Sequence, residues 1–485
     1  MQKTYFSRLR VGRLLALIAI LLTVLPLSSA NAQAATAYDF GVICENQTAP
    51  GVYTASVDVT AEDGYISIPD GNTIYMWGFG FGAPATAAYQ HPGPTLCFTE
   101  GQAVSVTVHN TLPEAVSIIF PGQTGVASAG GITATNSLVA AADISGTVTY
   151  NFTASHAGTF IYESGANLQK QVQMGLFGAI IVRPTLGANY VYDWAKSQFN
   201  QTPFSNDYLM LLSEIDPDWH AAVEEAVNTF TAGGAYNANP FNVVDYHPRY
   251  WQINGRSFPD TIAPNKAAWL PTQPYGALLH ILPSAVSVIP NDASGAPASE
   301  TSDPTKYQQF PSAVRVLNVG MLNHPIHPHG NHVQVIGRDG HPLLGPANED
   351  LSYSKFNIMA GAGQAWDVLY DWTNKDYYNP DTNAVPYGVD TTGAFTTPGG
   401  SQDNLTDPRN LGLLFKPPNF FSGSPYLGYQ ANKTDDTATS YNQCGEYYQI
   451  WHSHALDEAA NYETGFGGML TLERIDPPGH FNCAP

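Results

Sequence analysis

Positive charge is scarce in this chain. Its 485 residues hold 19 Lys and Arg against 40 Asp and Glu. Four of the basic residues, Lys3, Arg8, Arg10 and Arg13, crowd the first turn of sequence, so the remainder carries 15 basic against 40 acidic side chains, a net charge of −25. Such a surface repels phosphate backbones and anionic lipid, which argues against nucleic acid and membrane surfaces as partners. Long apolar runs are equally scarce. Leu14 to Leu27 is the one stretch of note, and it is too short for a comfortable membrane span. A basic start, an apolar core and the small-residue site Ala30-Asn31-Ala32 give residues 1–32 the form of a signal peptide, with a secreted or periplasmic product expected. There are four cysteines, Cys44, Cys97, Cys444 and Cys483, with no Cys-X-X-Cys spacing, which speaks against a redox or zinc-finger role. An even set in an exported chain predicts disulfides, and four cysteines allow three pairings. Cys44–Cys97 with Cys444–Cys483 is the local choice, and a bridge from the first domain to the tail is the other. No near repeat is present.

What the chain has in quantity is glycine (44), proline (36), tyrosine (27) and phenylalanine (22), the composition of strands joined by long loops. Short strand-like runs at Val52–Val59, Ile74–Trp77, Val104–Val108, Thr147–Phe152, Thr159–Tyr162 and Phe177–Val182, with Asp70-Gly71-Asn72 as a turn, predict one Greek-key sandwich over 36–184. Asn189 to Ser205 reads as a linker. A second, larger strand series spans 205–476. It carries one helix over 216–232, capped by Asp216 with Pro217 in its first turn, and a long loop over 374–443.

Two segments hold six of the chain's 14 histidines. One reads His324-Pro325-Ile326-His327-Pro328-His329-Gly330, with His332 beyond; the other reads Trp451-His452-Ser453-His454. Residues i and i+2 of a strand share a face, so His327 pairs with His329 and His452 with His454. If the two strands lie side by side, four imidazoles meet. Imidazole is a ligand for copper, zinc, iron or nickel. A lone His-X-His is as often a hydrogen-bonded surface feature; two such pairs point to a metal centre.

The first segment resembles the His-Pro-X-His-X-His-Gly motif of the multicopper oxidases, and His452-Ser453-His454 followed by Gly468-Met469-Leu470 resembles their closing His-Cys-His motif. Pro92-Gly93-Pro94-Thr95, Gly158-Thr159-Phe160-Ile161-Tyr162, Gly175-Leu176-Phe177-Gly178 and Arg315-Val316-Leu317-Asn318 are similar to other signals of that family. The resemblance implies an all-β protein of two cupredoxin-like domains, the second enlarged by insertions, and, by analogy with two-domain relatives, a homotrimer.

The departures from the family pattern shape the expected function. Ser453 stands where the family has the type 1 copper cysteine, and Glu458 where the next type 1 histidine would fall. Only His324, and Met469, remain of that centre. In the first domain, Ile119-Phe120-Pro121-Gly122 and Tyr162-Glu163-Ser164-Gly165 stand where the resemblance implies further copper histidines. A complete four-copper laccase is therefore not expected. The expected site comprises His327, His329, His452 and His454, with His324 as an additional candidate ligand, holding one or two copper ions. Glu163 is a candidate carboxylate ligand or general base, or simply a partner for a histidine. The expected activity is copper-dependent oxidoreduction without a type 1 relay, on a small-molecule substrate that the sequence does not name. The alternatives are a non-enzymatic scaffold for metal binding, envelope function or assembly, and a zinc or manganese hydrolase-like site using Glu163.

Overall fold

The computed structural model describes residues 40–193, 202–281, 310–371, 388–389, 395–396, 447–462 and 464–475. The expected signal segment 1–32, most of the loop 374–443 and the cysteines Cys444 and Cys483 lie outside them. The regular structure of the described residues is mostly strand, with few helices, as the alternating patterns predict.

The first sandwich is built from two sheets. In one, Ser56–Ser67 lies between Thr73–Phe81 and Ala103–Asn110, followed outward by Thr147–Thr153 and Ala127–Gly130. The turn through Asp70-Gly71-Asn72 joins the first antiparallel pair, and Gly71 takes the left-handed conformation it requires (φ 95°). In the other sheet, Phe177–Arg183 and Gly158–Ser164 form the centre. Alternate residues such as Val57, Val59, Val106, Val148, Phe160 and Ile180 fill the space between the sheets. The Cys44–Cys97 bridge fastens the N-terminal segment to this sandwich.

The second sandwich has a nine-stranded and a five-stranded sheet. The five-stranded one runs Leu279–Ile281, Leu470–Ile475, Tyr447–Ser453, His324–Pro328, Ile358–Ala360. The nine-stranded sheet centres on Asn206–Ile215, which pairs parallel with Ser312–Asn318 and antiparallel with Tyr250–Ile253. The Asn254-Gly255 turn follows the latter, both residues at positive φ (56° and 76°).

Asn206–Ile215 and Ser312–Asn318 are buried on both faces. Their second face meets the first sandwich: Leu209, Leu211, Leu317 and Val319 pack with Ile161, Phe177 and Ala179. A polar seam accompanies this contact. Arg315 donates to Asp207 (2.8 Å) and Thr159 (2.8 Å), and Thr159 donates to Asp367 (2.5 Å). Burying these charges is tolerable because each is paired.

The predicted helix is present as Pro217–Thr231, with the Asp216 carboxylate accepting from the Asp218 and Trp219 amides. Its apolar face runs through Trp219 and Val223, which join the core of the first sandwich, so the insertion staples the domains together. Phe230, in the last turn of the helix, is 39% exposed. A six-residue helix, Leu168–Gln173, was not expected. It has no apolar stripe; its buried side chains are Lys170, Gln171 and Gln173, held by Glu114, Ser164 and backbone carbonyls.

Candidate metal centre

Two adjacent strands make the site. His324–Pro328 and Tyr447–Ser453 run antiparallel with His327 opposite His452, Ile326 opposite Ser453 and Pro328 opposite Trp451. The ladder continues at both ends, where the His329 amide donates to the Ile450 carbonyl and the His454 amide to the Pro325 carbonyl. In this register Ile326, Trp451 and Ser453 point inward and are fully buried, so the alternate residues His327, His329, His452 and His454 project from the other face.

The four rings contact one another. Centroid separations are 4.8 Å for His327–His329, 5.6 Å for His327–His452, 5.3 Å for His327–His454, 5.2 Å for His329–His452 and 5.5 Å for His452–His454. The Nε2 atoms of His329 and His452 are 3.2 Å apart. Two imidazole nitrogens bound to one ion at 2.0–2.1 Å with tetrahedral angles lie roughly 3.3 Å apart. Two rings are oriented from behind. His327 Nδ1 donates to the Phe356 carbonyl (2.6 Å) and His452 Nδ1 to the Ser453 carbonyl (2.7 Å). Each bond fixes the tautomer and leaves Nε2 as a lone-pair donor, the arrangement metal-binding histidines need. Burial, together with the facing His327 and His454, pushes the His452 imidazole below its usual range, which keeps it neutral and able to ligate.

The set is gathered but not closed. Among the described residues, no group of three or more His, Cys, Asp or Glu stands in geometry that would hold a metal as placed. The centroid separations suit rings that share an ion, but the rings as placed do not aim their nitrogens at one point. His452 is 9% exposed, His327 and His329 are half-buried and His454 is exposed, so the cluster opens to solvent on one side. Phe356, 60% exposed, packs edge-on to His327 and also touches His332.

His324 is set apart from the four. It shares the parity of Ile326, so it points into the domain, where it is completely buried. Its Nε2 lies 2.9 Å from Glu214 and its Nδ1 2.9 Å from Glu458. Both nitrogens donate, so the ring is an imidazolium between two carboxylates, with no lone pair for a metal. The two carboxylates hold its pKa up at about 9 against the opposing effect of burial. Glu214 went unremarked in the sequence, although a charge near the end of a strand that runs through Leu209-Met210-Leu211-Leu212 was a signal. Ser453 Oγ accepts from the Ala455 amide, and Met469 is buried. Glu163 sits in the first sandwich between Ile119 and Phe177, half-buried, with its carboxyl pushed up by burial. Among the described residues it makes no hydrogen bond or ion pair to the four histidines.

A family model described as multicopper oxidase matches residues 84–186, and a second of the same description matches residues 287–399. The chain carries two multicopper oxidase domains. The second match includes His327 and His329 and ends before His452 and His454. Solved structures similar to the chain include a blue copper oxidase from Nitrosomonas europaea (18% identity, 87% of this chain and 85% of that chain, TM-score 0.48). Others are the multicopper oxidase mgLAC (17%, 87% and 86%, 0.48) and a copper nitrite reductase from Nitrosomonas europaea (18%, 65% and 84%, 0.39). No curated protein matches the sequence. These multicopper oxidase domains contain no helix, among the described residues, that is long and apolar enough to cross a membrane.

Proposed function

We propose that this chain is an exported, copper-binding protein with domains over 36–184 and 205–476, holding one or two copper ions through His327, His329, His452 and His454. The observation that carries the reading is the 3.2 Å approach of the His329 and His452 Nε2 atoms, with the His452 ring pinned from behind by the Ser453 carbonyl. Four imidazole nitrogens suit copper. The Cys44–Cys97 bridge fits an oxidising compartment, in keeping with export.

Bound copper would supply one-electron redox chemistry directly at this surface, since Ser453 and the His324 ion pairs leave no thiolate relay into it. The chain's own residues do the rest. The Phe356 and Ser453 carbonyls orient ligand rings, and the open side beside His454 admits a small molecule. Glu163 remains the candidate acid–base group, its carboxyl raised by burial. One observation favours the second reading, a metal-binding scaffold without catalysis: among the described residues, Glu163 makes no hydrogen bond or ion pair to the four histidines.

Metal content of protein purified without added metal, followed by electron paramagnetic resonance, tests the proposal. The expected result is one or two copper equivalents with a type 2 signal that is lost in His452→Ala. A folded protein that takes up no copper, or whose copper survives that substitution unchanged, would overturn it. A signal that responds to dioxygen or substrate separates the enzyme from the scaffold.

A further inference from the structure

The buried Glu214–His324–Glu458 triad joins three pieces of chain that are remote in sequence. Glu214 lies in Asn206–Ile215, His324 begins the strand that carries His327 and His329, and Glu458 ends the short turn Leu456–Glu458 that follows His454. All three side chains are essentially removed from water, at 3%, 0% and 4% exposure. The links are charge-assisted on both sides of the ring, each at 2.9 Å.

We infer that Glu458, acting through His324, positions the two ligand-bearing segments of the metal centre. The inference rests on the metal-binding reading proposed above. The wiring is specific to that task. His454 is exposed and has one backbone tie to the facing strand, its amide to the Pro325 carbonyl. Four residues later, Glu458 returns to the base of that strand, grips His324, and accepts from the Met469 amide at its own carbonyl. The loop carrying His454 is thereby closed against the strand carrying His327. Glu214 fixes the other end: its second oxygen accepts from the Met321 and Leu322 amides (2.5 and 3.1 Å) and from Tyr246 (2.9 Å), locking the turn that leads into His324. Gly320 makes this possible, because a Cβ there would overlap the Glu214 carboxylate. Groups that orient metal ligands from behind change metal affinity by about 10–100-fold when removed.

The test is copper(II) affinity by competition titration, with electron paramagnetic resonance of the bound ion, on wild type, Glu458→Ala, Glu458→Gln and Gly320→Ala. Unfolding of the metal-free forms is measured in parallel. Glu458→Ala should weaken copper binding about 10–100-fold and alter the hyperfine pattern. Glu458→Gln, which can still accept from His324, should remain within about 3-fold of wild type by the same reasoning. Gly320→Ala should fall with Glu458→Ala. A purely structural triad would lower the unfolding midpoint while leaving affinity and spectrum alone, and that outcome overturns the inference. A wild type that binds no copper overturns the metal reading and this inference together; a wild type that binds, with Glu458→Ala equal to it, overturns this inference alone.

Discussion

The strand His324–Pro328 and its continuation present the same side chain to two environments. On one face His327 and His329 meet His452 and His454 near solvent; on the other His324 is sealed between Glu214 and Glu458. A third environment lies elsewhere in the fold: His91 and His220 are buried against an amide and a carbonyl, Gln252 and Tyr75, with no carboxylate bonded to them. Burial pushes both down to about 4, whereas the paired carboxylates hold His324 up at about 9. The lesson is that the partner, rather than burial, decides whether an imidazole is a cation, a neutral strut or a metal ligand.

Breaking the sealed face should have the largest effect. His324→Leu leaves two carboxylates facing each other without their cation, and the expected cost is about 3–5 kcal/mol. Denaturant unfolding of the metal-free protein reads it. Removing a histidine from the open face should behave oppositely. His452→Ala is expected to change metal-free stability by about 1 kcal/mol or less, yet to weaken copper binding roughly 100-fold or more, because it removes a ligand rather than a core contact.

Titration sharpens the contrast between the buried rings. His324 holds its proton more tightly folded than unfolded, so its contribution is complete below pH ~6.5 and is lost as pH rises through about 9. His91 and His220 hold theirs less tightly when folded, so stability falls as pH drops from ~6.5 toward about 4. Each group accounts for up to about 3 kcal/mol at 1.36 kcal/mol per pKa unit. Unfolding midpoints across pH 4–10 should trace a dome in which His324→Leu removes the step between pH ~6.5 and about 9 that belongs to this ring, while the Glu473 decline and the acid shoulder remain.

An effect that is small only at acid pH lies beneath the cluster. Glu473 is buried, bonded by Tyr370 (2.6 Å) and Trp451 (2.7 Å), with its carboxyl pushed up to about 8 by burial. A raised carboxyl loses stability as pH rises from ~4.5 to its folded value. Glu473→Gln, which mimics the protonated form, should therefore match wild type within about 1 kcal/mol near pH 5 and resist unfolding better than wild type near pH 9.

Much of this was legible in the sequence. The strands Thr147–Thr153 and Phe177–Arg183 start where their patterns suggest and run one residue further, and among the described residues Asp216-Pro217 opens the one long helix. The convergence of His327, His329, His452 and His454 follows from period-two geometry once the strands are neighbours. The same rule sets His324 on the opposite face, three residues from His327, and so argues against grouping it with the ligands. What the sequence hides is who meets it inside. Glu214 lies 110 residues away, and nothing local to either residue announces the pair. The helix Leu168–Gln173 was hidden for a related reason: its buried side chains are polar and satisfied by distant partners, so it lacks the apolar period that betrays a helix. Ser56–Ser67 runs on through Glu62, Asp63 and Gly64 because pairing along Thr73–Phe81 outweighs the weak strand preference of those residues.

X-ray absorption at the copper edge, on the loaded wild type and on His327→Ala/His452→Ala, tests the central claim most directly. The account predicts imidazole scattering around a stoichiometric ion in the wild type and loss of that ion in the double variant. Copper bound without imidazole scattering, or bound equally well after both rings are removed, would contradict it.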